Sequence, residues 1–409
     1  MAPLRSWPLF LLLLACPVRG DSAALPGKPL QSFEDDLDLD SLRLAIDRSL
    51  EFLSRVPPDR PVGEWPRRIT AREVRDSLLS FIRLLEFWDR PEALARELQA
   101  RFDLFESPAG GGGERVLFTG YYQPVVAGSL MESRDYRYPV YRKPPDLVEA
   151  ETVTLRPQHQ VKKVVGRFIE DRLVPYPSRY EIDGLGQLRG KGYEIAWLKD
   201  SVELFFLHIQ GSGLLRLEDG RMLHLNYAAS NGRAYQSIGK ILADGGKIAL
   251  EELSMQRLRQ YLTDHPRELP VLLAQNERYV FFRFGKRGPL GSLDVPLTPG
   301  RSIATDSRLF PLGALAVITA RRPLLDSQGN LAGWRPFMRF VLNQDAGAAI
   351  QGPGRVDLYF GAGGEPGMAA GVMKSGGSLR FLLQKRPAAG GSSGRQKTNL
   401  SPSLRTLNR

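Results

Sequence analysis

The sequence predicts a mainly β fold with accessory helices. Glycine and proline number 41 and 30 in 409 residues, a composition that favours short strands joined by tight turns. From Tyr136 to Leu225 the chain is mostly short apolar runs broken by turn residues, and a second such stretch runs from Gly291 to about Gln384. Helical periodicity is confined to 38–105 and 233–275. The length allows two or three domains, and 42% hydrophobic with 25% charged residues is ordinary for a globular chain.

Taken in order, the chain opens with one cation, Arg5, and an apolar run from Trp7 to Leu14. That run is too short to cross a bilayer core of about 30 Å, which needs roughly 20 residues. Residues 1–15 read instead as a secretory signal peptide. The 38–105 stretch reads as helical: Thr70-Ala71-Arg72-Glu73 is a capping-box pattern, with Val74, Leu78, Phe81, Leu84 and Leu85 following at helical spacing. Ser107-Pro108-Ala109 and the glycines 110–113 make a loop, and strand-like residues begin at Val116. Glu203–Gln210 reads as a strand closed by Gly211-Ser212-Gly213, and His208 as a side chain on its face. In the helical interlude Asp264-His265-Pro266 reads as an N-cap and Asn276 as the end. Tyr279–Arg283 returns to strand. From Pro387 the tail has no acidic residue and reads as disordered, 387–409.

The net charge of +11 suits an acidic partner, whether nucleic acid, anionic lipid or a wall polymer. No aromatic RNA-binding signature, zinc-finger spacing or long Lys/Arg block is present, so nucleic acid is disfavoured. Gly291–Gly371 holds five aspartates, one glutamate (Glu365), no histidine and no cysteine. Chemistry in this segment falls to carboxylic acids, which points to glycosidic or peptide bond cleavage; no metal site and no cofactor are expected. In Val356-Asp357-Leu358-Tyr359-Phe360 the period-two alternation puts Asp357 and Tyr359 opposite the three apolar residues. Asp357 is then either a catalytic acid or a solvated strand-face residue. Asp345 follows the Arg339–Leu342 strand and reads as a turn or cap residue, or as a supporting carboxylate. Asp306, before Ser307, reads as a turn residue giving structural support.

Several ordered motifs carry a family resemblance: FTGYYQP (118–124), LHIQGSG (207–213), YAASNGRAYQSIGKIL (227–242), NERYVFF (276–282), IATD followed by PLG (303–313) and QDAGAAIQG with RVDLYFGAG (344–363). Together, over roughly 115–385, they resemble the membrane-bound lytic transglycosylase A family. The resemblance implies a double-psi β-barrel (3D) catalytic domain over 285–386, with the helical part 38–123 packed on it. It also implies an inserted second β-barrel over 124–284 and a glycan groove between the two. It implies a lytic murein transglycosylase that cleaves the β-1,4 bond between N-acetylmuramic acid and N-acetylglucosamine, leaving a 1,6-anhydromuramic acid end. Asp357 falls on the family's catalytic acid, with Asp345 and Asp306 in support. Thr119, Tyr121, Tyr122, Gln123, Gln210, Ser212, Asn231, Arg233 and Tyr359 are candidate substrate contacts. Each also has a plain structural reading: core-edge tyrosines, a hairpin turn at 210–213, a helix cap at Arg233.

Leu13-Leu14-Ala15-Cys16 resembles a bacterial lipobox, and Cys16 is the only cysteine. That implies acylation of Cys16, a tether over 16–37 and a membrane anchor through several acyl chains. Pro17, where an Asp would favour inner-membrane retention, directs the expectation to the outer membrane, facing the periplasm. The expected partners are peptidoglycan glycan strands, and wall-synthesis or remodelling complexes would follow from that role. Two features depart from the family pattern. Gly347-Ala348-Ala349 replaces a Gly-Gly pair, so Ala348 restricts φ, and Gly352-Pro353-Gly354 is one residue longer. The basic tail is also additional; it either adds attraction to an anionic wall or lipid or is a solvated end. An aspartic peptidase is disfavoured, since Asp345-Ala346-Gly347 lacks the hydroxyl and has no second copy. A non-catalytic glycan-binding envelope lipoprotein is the remaining alternative.

Overall fold

The computed structural model describes residues 32–109, 115–154 and 160–386, with side chains omitted over 151–163. Cys16, the signal peptide, most of the tether, the glycine loop and the basic tail lie outside the described residues. The architecture is mainly β with helices in an accessory role. Six strands close into a barrel in the order Leu315–Leu325, Leu331–Asp345, Ser302–Ala304, Arg355–Ala362, Val116–Gln123, Lys374–Gln384, the last pairing back onto the first. One of the six, Val116–Gln123, therefore comes from far upstream, inserted in parallel beside Arg355–Ala362.

Three helices, Leu39–Ser54, Ala71–Leu84 and Pro91–Arg101, pack against the barrel and share its core with Phe340, Val341, Leu342, Val356 and Leu358. The capping box at Thr70 forms as the sequence predicts, the Thr70 hydroxyl accepting from Glu73 N and the Glu73 carboxylate from Thr70 N. The predicted helical stretch ends early. Phe102–Glu106 is a strand that pairs antiparallel with Lys374–Gln384, because tertiary pairing overrides local helix propensity there.

Before the first helix the chain is clasped to the barrel. Arg301, fully buried, donates to the Asp35 carboxylate at 2.6 Å, to Ser41 Oγ and to the carbonyls of Asp38 and Phe340. Arg339 grips Asp36 through two bonds of 2.7 Å.

A second six-stranded sheet runs Val280–Gly285, Met222–Ser230, Gly213–Arg216, Val125–Ser129, Glu194–Leu198, Tyr138–Tyr141. A separate three-stranded sheet, Val148–Thr154, Gln160–Ile169 and Arg172–Pro175, belongs to the same sequence region. Here the sequence reading of Glu203–Gln210 as a strand is corrected: Ser201–Gln210 is an α-helix, capped by the Asp200 side chain and ended by Gly211 at φ 74°. The helix is buried almost all round, so it shows none of the polar stripe by which a helix is recognised. Such a short apolar run looks the same in either state. His208 accordingly lies on a helix. Asp264-His265-Pro266 is corrected too. It ends the Met255–Asp264 helix, which Ser254 caps, and it is Pro270 that sits in the first turn of Leu269–Ala274.

Candidate active site

Asp357 stands where three strands meet. It pairs with Thr119 in parallel on one side and with Ala304 antiparallel on the other. Val356 and Leu358 point into the barrel core, as the alternation requires, leaving Asp357 to line a cavity of about 820 Å³. The Thr119 hydroxyl donates to Asp357 Oδ1. Burial pushes the Asp357 carboxyl up to about 6; the Arg355 charge pulls it down and the nearby Asp345 carboxylate pushes it further up. A carboxyl held there is partly protonated near neutral pH, as a general acid must be.

Asp345 does not touch Asp357. Its Oδ2 accepts from the Tyr121 hydroxyl at 2.8 Å, and its Oδ1 from the backbone N–H groups of Ser292 and Ala346 at 2.9 and 2.8 Å. Burial raises its pKa against the pull of those three bonds. Tyr121, whose own hydroxyl is held well above its ordinary value by burial and then by Asp345, packs its ring 5.3 Å from that of Tyr359. Asp345 thus fixes Tyr121, which lines the cavity beside Asp357.

Asp306 is buried and works as a staple. It takes both Arg308 guanidinium bonds, the Arg308 N–H and the Gly352 N–H at 2.8 Å, so it ties down the loop that precedes the Asp357 strand. Burial opposes its charge, but these donors prevail and hold its pKa below the ordinary value. Ala348 in that loop adopts no left-handed conformation. Among the described residues outside glycine only Glu170, Asp171 and Asp294 do, so the φ restriction at 348 has no cost in this loop.

The cavity is shared between the two β units. Thr119, Tyr121, Arg355 and Asp357 come from the barrel; Phe206, His208, Gln210 and Tyr235 come from the second unit; Trp334, 347–350 and 370–374 complete the rim. Gln210 Oε1 accepts from Tyr122 N at 3.1 Å, linking the units at the cavity edge. The Tyr122 ring lies against Gly367, where an added Cβ would come within 2.7 Å of it.

Other predicted contacts lie away from the lining. Asn231 is buried and serves four backbone partners: the carbonyls of Pro177 and Glu277, and the N–H groups of Tyr279 and Arg233. Arg233 donates to the Tyr176 carbonyl and reaches Glu277 at 3.5 Å. Ser212 and Gln123 are buried; the Gln123 carbonyl accepts from Gly363 N. Tyr359 is buried beneath Tyr121.

Tyr235, Arg355 and Trp334 were not singled out by the sequence. Arg355 carried a usable signal, since it stands two residues before Asp357 on the same strand face. His208 is 5% exposed, with Nδ1 at 3.0 Å from Arg179 Nη1. A guanidinium only donates, so Nδ1 accepts and the ring proton sits on Nε2. Burial and then the Arg179 charge hold this histidine well below its ordinary pKa, hence neutral. Among the described residues no three His, Cys, Asp or Glu side chains gather as a metal site would require.

This geometry agrees with what the chain resembles. The MltA specific insert domain matches residues 117–283, and the 3D domain matches 301–383. The membrane-bound lytic murein transglycosylase A of Escherichia coli K12 is 34% identical over 295 residues, covering 71% of this chain and 72% of that protein. The chain belongs to the membrane-bound lytic murein transglycosylase A family. The Vibrio cholerae member is 30% identical, with coverage of 70% and 72%. Among solved structures, the membrane-bound lytic murein transglycosylase of Agrobacterium tumefaciens superposes with a TM-score of 0.69 at 32% identity, covering 84% of this chain and 93% of that one. E. coli MltA with bound chitohexaose superposes at 0.63 and 25% identity, covering 90% and 98%. Within the transglycosylase A family the insert match takes in the second sheet together with the barrel strand Val116–Gln123, and the 3D match takes in the other five barrel strands, so residues of both matched regions line the cavity.

Proposed function

We propose that this protein is a lytic murein transglycosylase in which Asp357 is the single acid and base. The observation that carries the reading is a carboxyl lifted to about 6 inside a cavity shared by the two β units. Protonated Asp357 gives its proton to the glycosidic oxygen as the bond from the muramic acid C1 breaks. The resulting carboxylate then takes the proton of the same sugar's 6-hydroxyl while that oxygen bonds to C1. One C–O bond breaks, one forms, and no water is consumed. A second carboxyl for activating water, needed by an inverting hydrolase at about 6.5–9.5 Å, has no part in this scheme. Thr119 occupies one carboxyl oxygen, which leaves the other for the travelling proton. Asp345 with Tyr121, and Asp306 with the 347–354 loop, hold the walls in place. A relative in this family carries bound chitohexaose, a sugar oligomer, which supports a glycan as occupant of the groove. Of the substrate contacts expected from the sequence, we retain Thr119, Tyr121 and Gln210 as groove residues. We assign Asn231 and Arg233 to holding the second unit together.

The test is mass spectrometry of purified murein sacculi digested by the wild type. Anhydromuramic ends, lighter by one water than reducing ends, are expected; reducing ends would mean a hydrolase. Intact sacculi with retained binding would favour a non-catalytic glycan-binding lipoprotein.

Thr119→Val tests what the Thr119 hydrogen bond does for Asp357. The Thr119 bond favours the charged form of Asp357, so its loss raises the carboxyl pKa further. Activity that requires the protonated acid falls as pH rises through that pKa. The alkaline limb of kcat against pH therefore moves upward in Thr119→Val, with kcat itself reduced by about tenfold. A limb that stays in place would mean that the Thr119 bond does not set the proton affinity of Asp357.

We further propose lipid anchoring at Cys16 in the outer membrane, with the barrel facing the periplasm. Relatives are named membrane-bound, and no helix among the described residues is long and apolar enough to cross a membrane. Cys16→Ala is expected to shift the protein from the membrane to the soluble fraction and to abolish labelling by fatty acid. An unchanged distribution would reject the anchor.

A further inference from the structure

Arg355 is a cation without an ion pair among the described residues, whereas the barrel's two buried arginines, Arg301 and Arg339, each have one. Asp35 neutralises Arg301 and Asp36 neutralises Arg339. The Arg355 Nε, by contrast, is buried with no hydrogen-bond partner, and the guanidinium forms no ion pair among the described residues. Arg355 and Asp357 alternate onto the same face of one strand and line the same cavity. Their origins stand about 6.5 Å apart along the strand. That spacing can be bridged within one sugar ring by an extended substituent on carbon 3 while the glycosidic oxygen on carbon 1 faces Asp357. In muramic acid that substituent is a lactyl ether ending in a carboxylate when no peptide is attached, and in a neutral amide when one is.

We propose that Arg355 is a specificity-determining residue that binds the free lactyl carboxylate of the sugar whose glycosidic bond is broken, so that the protein favours peptide-free over peptide-bearing strands. This rests on the murein-cleaving reading above. A guanidinium meets a carboxylate through two parallel charge-assisted bonds, which a lactyl amide cannot match. Binding would also act on the acid. Arg355 pulls the Asp357 pKa down, and a carboxylate on the guanidinium cancels that pull, moving Asp357 toward the protonated form that the first step needs.

The experiment measures binding by calorimetry to full-length protein carrying Asp357→Asn, which prevents turnover. Three probes are used: a peptide-free muramic-acid-containing tetrasaccharide, its lactyl methyl ester, and uncharged chitohexaose. The acid is expected to bind at least about tenfold more tightly than the ester. Arg355→Met, added to the same background, should weaken acid binding at least tenfold more than ester binding, and Arg355→Lys should fall between the two. If the acid and ester bind alike, or Arg355→Met weakens both equally, the specificity role is overturned while chitohexaose binding still supports the groove. If none of the three probes binds, the glycan reading itself fails, and the inference with it.

Discussion

Asp357→Asn leaves the protein folded and lowers the yield of anhydromuramic ends by at least 10²–10⁴-fold, the usual worth of a general acid or base. Asparagine keeps the size of the side chain and can still accept the Thr119 hydrogen bond through its amide oxygen, but it cannot carry a proton between the two oxygens. The loss should therefore fall on kcat with little change in KM, because an interaction made only in the transition state has been removed. Stability should move in the opposite direction. A carboxyl raised from its ordinary 3.8 to about 6 binds a proton more tightly in the folded than in the unfolded chain. Its contribution to folding then declines as pH rises from about 4 to about 6, and above that the buried charge is a net cost. Asp357→Asn relieves that cost, so at pH 8 the variant should melt above the wild type, and at pH 4 the two should coincide. Thermal melts at both pH values check this. A variant that melts lower at pH 8 would mean that Asp357 is a structural carboxylate.

Asp35→Ala should be among the most destabilising single changes in the chain, by about 3–5 kcal/mol, because it leaves the Arg301 guanidinium buried and uncompensated. Arg301 is wholly enclosed, and Asp35, nearly as buried, accepts from the Arg301 Nη1 and from the Phe340 N–H at 2.6 and 2.7 Å. The clasp joins the segment ahead of the first helix to the Leu331–Asp345 strand, which in turn carries Asp345 at its end. Removing both charges, as in Asp35→Leu with Arg301→Met, should cost much less than Asp35→Ala, since no orphaned charge remains. Urea midpoints at constant slope measure both. Equal losses in the single and double variants would show that packing, not charge, makes the clasp.

Much of this was legible in the sequence where local chemistry decides the outcome. The capping box at Thr70 and the alternation around Asp357 depend on residues within a few positions of each other, and both appear in the structure as written. What the sequence could not convey was long-range. Thr119 and Asp357 lie 238 positions apart and meet only because Val116–Gln123 joins the barrel beside Arg355–Ala362. The Ser201–Gln210 helix was hidden by its own burial, having no polar face. Asn231, polar and set among turn residues, read as a candidate substrate contact, yet its amide is spent on four backbone groups inside the second unit. Tyr235 lay within a recognised motif, but only the tertiary arrangement brings it to the same cavity as Asp357.

In the proposed mechanism one carboxyl moves one proton, and the sugar's own hydroxyl, not water, closes the reaction. Digestion of murein in water labelled with heavy oxygen tests it most directly. Anhydromuramic ends that carry no label are expected. Labelled reducing ends formed by the wild type, and lost in Asp357→Asn, would contradict it and make the protein a hydrolase.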